Sequence, residues 1–296
     1  MGATAGNGEA NAFELVEPAQ QLAPLVFNSP HSGARYDPDF LAASRLDKHA
    51  IRQSEDIYVD RLFGAAFAHG TPLLRAHFPR AWLDVNREAY ELDPRMFDGR
   101  LPAFANTRSA RVASGLGTIP RVVADGQAIY ARRMPVDDAL ARIRDVYVPY
   151  HRLLAETLER TRQRFGYAIL IDCHSMPSTV RSSQFRARPD FVLGDRHGAS
   201  CSGLLTDIVE SCLVRRGYDV SRNRPYAGGF ITEHYGRPRD GVHAIQIEIN
   251  RALYLDERTL EESRGYQTLA GDIGGLIGDL VRAADDLVAS PREAAE

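Results

Sequence analysis

Cysteine is scarce: Cys173, Cys201 and Cys212 are the only three in 296 residues, and none pairs as CxxC. An odd, unpaired set excludes a disulfide framework and fits reduced core thiols. An excess of one charge is also lacking. The 36 basic and 39 acidic side chains leave a formal charge of −3, with no block of like charges, so neither nucleic acid nor a membrane surface is an expected partner. No apolar run approaches the roughly 20 residues that span a bilayer, and no basic flank followed by an apolar stretch opens the chain. A soluble, cytoplasmic protein is the expectation. The GxxxxGK[ST] pattern of a nucleotide phosphate site is missing, and neither Ser32 nor Ser175 sits in the GxSxG elbow of a serine hydrolase. Internal repeats and low-complexity segments are absent as well.

What is present suits one large α/β domain. With 44% hydrophobic residues the chain can bury a sizeable core. Residues 1–20 are expected to lack fixed structure and 21–290 to form a single catalytic domain. Apolar runs predict strands at 25–29, 72–75, 81–85, 168–172 and 242–249. Apolar residues at three- and four-residue steps predict helices over 47–69, 135–166 (kinked at Pro149), 199–216 (stopped by Gly217) and 256–288. Residues 88–130, with scattered Gly and Pro, read as an irregular excursion that could serve as a lid. Strands alternating with helices imply a mixed, mostly parallel sheet covered on both faces.

Two strand-to-turn segments each deliver a histidine: Leu25 to Gly33 carries His31, and Ala168 to Ser175 carries His174. Ligands of α/β proteins bind beyond the carboxyl ends of such strands. A hydrolytic zinc takes three ligands from His, Asp and Glu and keeps one position for water, so a carboxylate is sought as the third. Glu55 and Asp56 are both candidates. Asp172, two residues before His174 on the same strand face, either competes or orients a ligand from behind. On the alternating strand 242–250, Glu248 faces the same side as Gln246. A carboxylate buried there must be paired, metal-bound or in a polar cleft, and a general base or an ion pair with Arg251 would each satisfy it. Arg80 and Arg87 bracket the strand ending in Asp84-Val85-Asn86-Arg87, and two guanidiniums with Asn86 at such an edge could hold a carboxylate or polarise a carbonyl. Gly228 and Gly229 offer backbone that a ligand can approach closely.

In chain order, Ser29-Pro30-His31-Ser32-Gly33, Glu55-Asp56, Asp84-Val85-Asn86-Arg87, Asp172-Cys173-His174-Ser175, Asp190 to Gly194, Gly228 to Thr232 and His243 to Glu248 resemble the N-formylglutamate amidohydrolase family. The likeness covers roughly residues 25 to 257. It implies the zinc carboxypeptidase and aspartoacylase group, with a phosphorylase/hydrolase-like mixed sheet and helices on both faces. By that resemblance His31, Asp56 and His174 would hold Zn2+ or another divalent metal, Glu248 would be the base, and Arg80 would stabilise the oxyanion. Asn86, Arg87, Gly228, Gly229, Thr232 and Gln246 would bind a small substrate bearing carboxylates. The chain departs from the wider group where an acidic ligand should follow the first histidine by three residues, because position 34 is alanine. The implied reaction is metal-dependent hydrolysis of a linear amide, foremost N-formyl-L-glutamate, as in histidine breakdown. Two other readings stand beside it: a deacylase or peptidase for another N-acyl amino acid or cell-wall peptide, and a non-catalytic module that binds an acidic metabolite.

Overall fold

The computed structural model describes residues 12–123, 126–179 and 188–284. Its centre is a seven-stranded sheet of β1 (Phe13–Val16), β2 (Leu25–Ser29), β3 (Leu73–Ala76), β6 (Ala168–Met176), β7 (Phe191–Gly194), β8 (Val220–Arg222) and β9 (Val242–Asn250), in the order β1-β3-β2-β6-β9-β7-β8. The pairs β2–β6, β6–β9 and β7–β8 are parallel, and β7 runs antiparallel to β9. Two-residue ladders form separately, β4 (Phe97–Asp98) with β5 (Met134–Pro135) and β10 (Leu255–Asp256) with β11 (Glu261–Glu262). The helices are α1 (Pro38–Ala43), α2 (Val59–Leu62), α3 (Ala110–Ala113), α4 (Val136–Arg142), α5 (Val148–Phe165), α6 (Gly203–Val214), α7 (Phe230–Tyr235) and α8 (Tyr266–Arg282). This is the mixed, mostly parallel α/β class expected.

Side chains alternate across a strand, and that alternation divides the labour of the sheet. Ile169, Ile171 and Cys173 of β6 and Ile245, Ile247 and Ile249 of β9 point into one apolar core with Leu62 of α2, Leu205 and Val209 of α6, and Ile273 and Ile277 of α8. Each fully buried Ile or Leu there contributes about 1.5–3 kcal/mol. Asp172, His174, Gln246 and Glu248 point to the opposite face, where α7 packs against β6 and β9. Parallel register aligns the polar set in pairs, Asp172 with Gln246 and His174 with Glu248.

By backbone proximity the chain groups into two compact units. One takes Pro30–Asp56 and Arg75–Leu154 with the N-terminal run through Glu14, and the other takes Leu15–Ser29, Ile57–Leu74 and Ala155 onward. The large apolar core belongs to the second. The first has a small core of its own in which Phe40, Ile51, Ala81, Val123 and Ile129 meet.

Several elements differ from the sequence expectation for identifiable reasons. The helix over 47–69 is broken: a 3₁₀ turn at Ala50–Ser54 ends at Glu55, and α2 begins only after Tyr58, which adopts φ 63°. Residues 81–85 form no strand. They follow a turn set by Pro79, whose carbonyl takes the N–H of Trp82, and Asp84 N–H reaches the carbonyl of Thr118. The 135–166 helix forms as α4 and α5 joined by a π-turn at Ile143–Tyr147, just ahead of Pro149, which has no N–H to donate. The last helix starts at Tyr266 instead of 256, because the Asp256 carboxylate accepts the N–H groups of Arg258 and Thr259 and turns the chain. Its predicted end, 285–288, lies outside the described residues. At the N-terminus, Phe13–Val16 within the stretch expected to lack fixed structure form the strand β1, while 1–11 lie outside the described residues. The described residues of 88–130 include α3, β4, a 3₁₀ turn at Pro94–Met96 and isolated bridges such as Glu91–Asn106.

Candidate active site

His31 leaves β2 on a loop that runs tightly against the backbone of 77 and 78. Gly33 permits that approach, since a Cβ at its position would lie 2.0 Å from the Phe78 carbonyl oxygen. The break at residue 55 then turns the chain back, and Asp56 N–H donates to the His31 carbonyl at 3.0 Å. That bond places Asp56 Oδ2 3.4 Å from His31 Nδ1. The adjacent Glu55 points elsewhere, paired with the Arg52 guanidinium and accepting from the Tyr36 hydroxyl. The structure thus separates the two acidic candidates that sequence left open.

His31, Asp56 and His174 are each buried, and one ligand atom from each lies within 4.8 Å of the others. The donor set fits a divalent cation. Bonds of roughly 2.0–2.1 Å at a tetrahedral angle put two ligand atoms about 3.4 Å apart, which is the His31 to Asp56 separation. Each ring also has a carboxylate at its other nitrogen: Asp84 Oδ1 at 2.7 Å from His31 Nε2, and Asp172 Oδ2 at 2.9 Å from His174 Nε2. Such partners hold the ring, fix its tautomer and raise its basicity, and they turn Nδ1 toward the place a cation could take. Asp172 is itself held by Asn28 Nδ2 at 2.8 Å, so it acts from behind His174.

Asp84 escapes the sequence reading, which weighed its motif for Asn86 and the arginines. The structure makes it a hub. Besides His31 it accepts Arg80 Nε at 3.0 Å and the Asn86 N–H at 2.8 Å, with Arg87 Nη2 at 3.6 Å. Burial pushes its pKa up, but the charges of Arg87, His31 and Arg80 outweigh burial and hold the carboxyl well below its usual range. A carboxylate kept ionised in this way can orient an imidazole at any working pH. The signal available beforehand was the need of a buried ligand histidine for a carboxylate partner.

The two arginines differ in their partners within the fold. Arg87 gives Nε to the Leu116 carbonyl and Nη1 to the Asn86 carbonyl, both at 2.8 Å, so two of its three nitrogens serve the backbone. The Arg80 side chain is more exposed, at 24% against 12% for Arg87. Across β9, Gln246 Nε2 donates to Glu248 Oε1 at 2.7 Å, and Gln246 Oε1 accepts the N–H of Gly229, also at 2.7 Å. Thr232 Oγ1 lies 3.4 Å from the same Oε1, and the Gly228 carbonyl accepts Arg196 Nη1 at 3.4 Å. Gly228, at φ 113°, takes a conformation that a side chain would strain. Glu248 is 7% exposed, on the polar face of the sheet and in register with His174.

Among the described residues no helix is long and apolar enough to cross a membrane. The sequence profile of the N-formylglutamate amidohydrolase family matches residues 23–255. A Pseudomonas aeruginosa N-formylglutamate deformylase is 34% identical over 238 residues, covering 79% of this chain and 83% of that protein. Its namesake from Pseudomonas putida is 29% identical over 237 residues, covering 79% and 82%. The crystal structure of N-formylglutamate amidohydrolase from Ralstonia eutropha JMP134 superposes with a TM-score of 0.87 at 36% identity, covering 93% of this chain and 99% of that one. The chain is therefore an enzyme that acts on an amide, and it belongs to the N-formylglutamate amidohydrolase family.

Proposed function

We propose that the chain hydrolyses N-formyl-L-glutamate to formate and L-glutamate with a divalent cation, preferentially zinc, held by His31, Asp56 and His174. The observation that carries this reading is the buried His-Asp-His set, both of whose imidazoles are backed by carboxylates. Imidazole and carboxylate suit zinc, and cobalt, manganese or iron can occupy the same ligands. When bound, such a cation polarises the formyl carbonyl and makes water acidic enough to attack near neutral pH.

The chain's own groups do the remaining work. Glu248 accepts the proton of the attacking water and returns it to the amine nitrogen as the carbon–nitrogen bond breaks. Arg80, partly open to solvent, faces the negative charge that develops on oxygen and steadies it, where a fixed cation contributes most. Arg87 supplies a second fixed positive charge for the substrate carboxylates, with Asn86 beside it. Glu248→Gln removes the proton carrier and retains the shape. Formate release should then fall by about 10²–10⁴-fold, the usual contribution of general acid–base catalysis, with metal content by elemental analysis unchanged. Near-normal turnover in that variant removes Glu248 from the mechanism. A panel of N-formyl, N-acetyl and longer N-acyl glutamates tests the acyl group: the formyl compound should be turned over fastest, and a preference for a longer chain defeats the deformylase assignment.

A further inference from the structure

Gln246 precedes Glu248 by two residues on the same face of β9, and its side chain is gripped at both ends. A backbone N–H can only donate, so the end that faces Gly229 N–H at 2.7 Å is the amide oxygen. The other end, 2.7 Å from Glu248 Oε1, is therefore the NH2 group, which cannot accept. Glu248 Oε1 therefore accepts a hydrogen bond, which is strongest to an oxygen without a proton. That bond favours Oε2 as the seat of any proton the carboxylate takes up. Gly229 is itself fixed, because it caps α7, whose Ile231 and Thr232 are buried and which packs against β6 and β9.

We propose that Gln246 is a positioning residue for the reaction: it locks the rotamer of Glu248 and reserves Oε2 for proton transfer. The family resemblance implies Gln246, Gly229 and Thr232 as groups that bind substrate; within the fold, Gln246 Oε1 accepts the Gly229 N–H and lies 3.4 Å from Thr232 Oγ1, and Gln246 Nε2 donates to Glu248. In the reaction Oε2 takes the proton from water as the new oxygen–carbon bond forms. It then gives the proton to the leaving nitrogen as the carbon–nitrogen bond breaks. Oε1 stays paired with Nε2 throughout, and Glu248 ends the cycle as it began. The inference rests on the reading of Glu248 as the base.

Two variants of the metal-loaded full chain test it, assayed by steady-state formate release from N-formyl-L-glutamate. Gln246→Met keeps the length and removes both polar ends. Gln246→Glu keeps an oxygen for Gly229 N–H and replaces the neutral amide donor with a carboxyl group that must share a proton with Glu248, so Glu248 no longer works as an independent base. Both should lower kcat by about 10- to 100-fold, as loss of a group that orients an active-site ligand does. KM should move by less than about threefold, because uniform substrate binding is untouched, and metal content should match the parent. A near-parental kcat in Gln246→Glu would mean that Gln246 only supports α7, and a raised KM at constant kcat would mean that it binds substrate. Either result overturns the proposal. If Gln246→Met does not fold, Gln246→Glu decides alone. Glu248→Gln run alongside separates the two failures: retained turnover there defeats the base, whereas a dead Glu248→Gln beside an unimpaired Gln246→Glu defeats only the positioning role.

Discussion

Ile247 and Glu248 are consecutive residues of one strand, both buried, yet they belong to different economies. Ile247 joins Ile245 and Ile249 in the apolar core with β6, α6 and α8, while Glu248 and Gln246 face a hydrogen-bonded polar set on the other side. The same division runs along β6, where Cys173 faces the core and Asp172 and His174 face the chemistry. One face stabilises through area removed from water, which tolerates small displacements at modest cost. The other depends on directed bonds of 2.7–2.9 Å whose loss leaves a buried polar group unsatisfied. A strand that serves both lets the apolar face hold the polar face in register.

The sharpest way to break this comparison is to substitute adjacent faces of the two strands. His174→Ala removes a proposed ligand, and the cation's contribution of several kcal/mol corresponds to about a 10³-fold loss of turnover. Elemental analysis should show the metal stoichiometry falling with it. Ile247→Ala should do the reverse. The lost side chain and the cavity it leaves cost about 2–5 kcal/mol in denaturant unfolding, with kcat of the folded protein unchanged. A kcat that falls in Ile247→Ala under fully native conditions would show that the two faces are not separable.

A smaller effect tests the layer behind the ligands. Asp172→Asn can still accept from Asn28, but it turns an amide NH2 toward His174 Nε2, which must then accept. The ring proton moves to Nδ1, the nitrogen proposed to coordinate. Metal affinity measured by competition with a chelator should weaken about 10- to 100-fold. Unchanged affinity would mean that Asp172 does not set the tautomer.

How much of this was legible beforehand follows from the range over which each feature is encoded. Alternation along 242–250 is local, and it correctly put Gln246 and Glu248 on one face. The same alternation is weaker to the eye in 168–176, because both faces of a central parallel strand are buried. Helix α6 was readable from its apolar spacing and its stop at Gly217. The broken helix at Glu55 was not, since the bond that turns Asp56 inward comes from His31, 25 positions away. Asp84 was missed for a similar reason: its partner His31 lies 53 residues earlier, and only the folded loop brings them to 2.7 Å. The apolar run 81–85 looked like a strand because burial alone does not distinguish a strand from a buried turn tied down by Thr118.

The smallest expected effect concerns the thiols of the apolar side. Burial pushes Cys173 well above the ordinary thiol range and Cys201 up to about 12. A thiol of pKa near 12 is ionised to only about one part in 10⁴ at pH 8, and the thiolate is the reactive form. Native protein treated with a chromogenic disulfide at that pH should therefore leave both unmodified, whereas denatured protein should release all three thiols of the chain. The sign of the linked stability follows. Above an ordinary thiol pKa of about 8.5 the unfolded chain loses protons that the folded chain keeps, so stability declines as pH rises from there toward 12. Cys173→Ala should flatten that decline slightly. Rapid native labelling of Cys173 would show instead that the apolar face opens, and it would then be a poor support for the directed bonds on its other side.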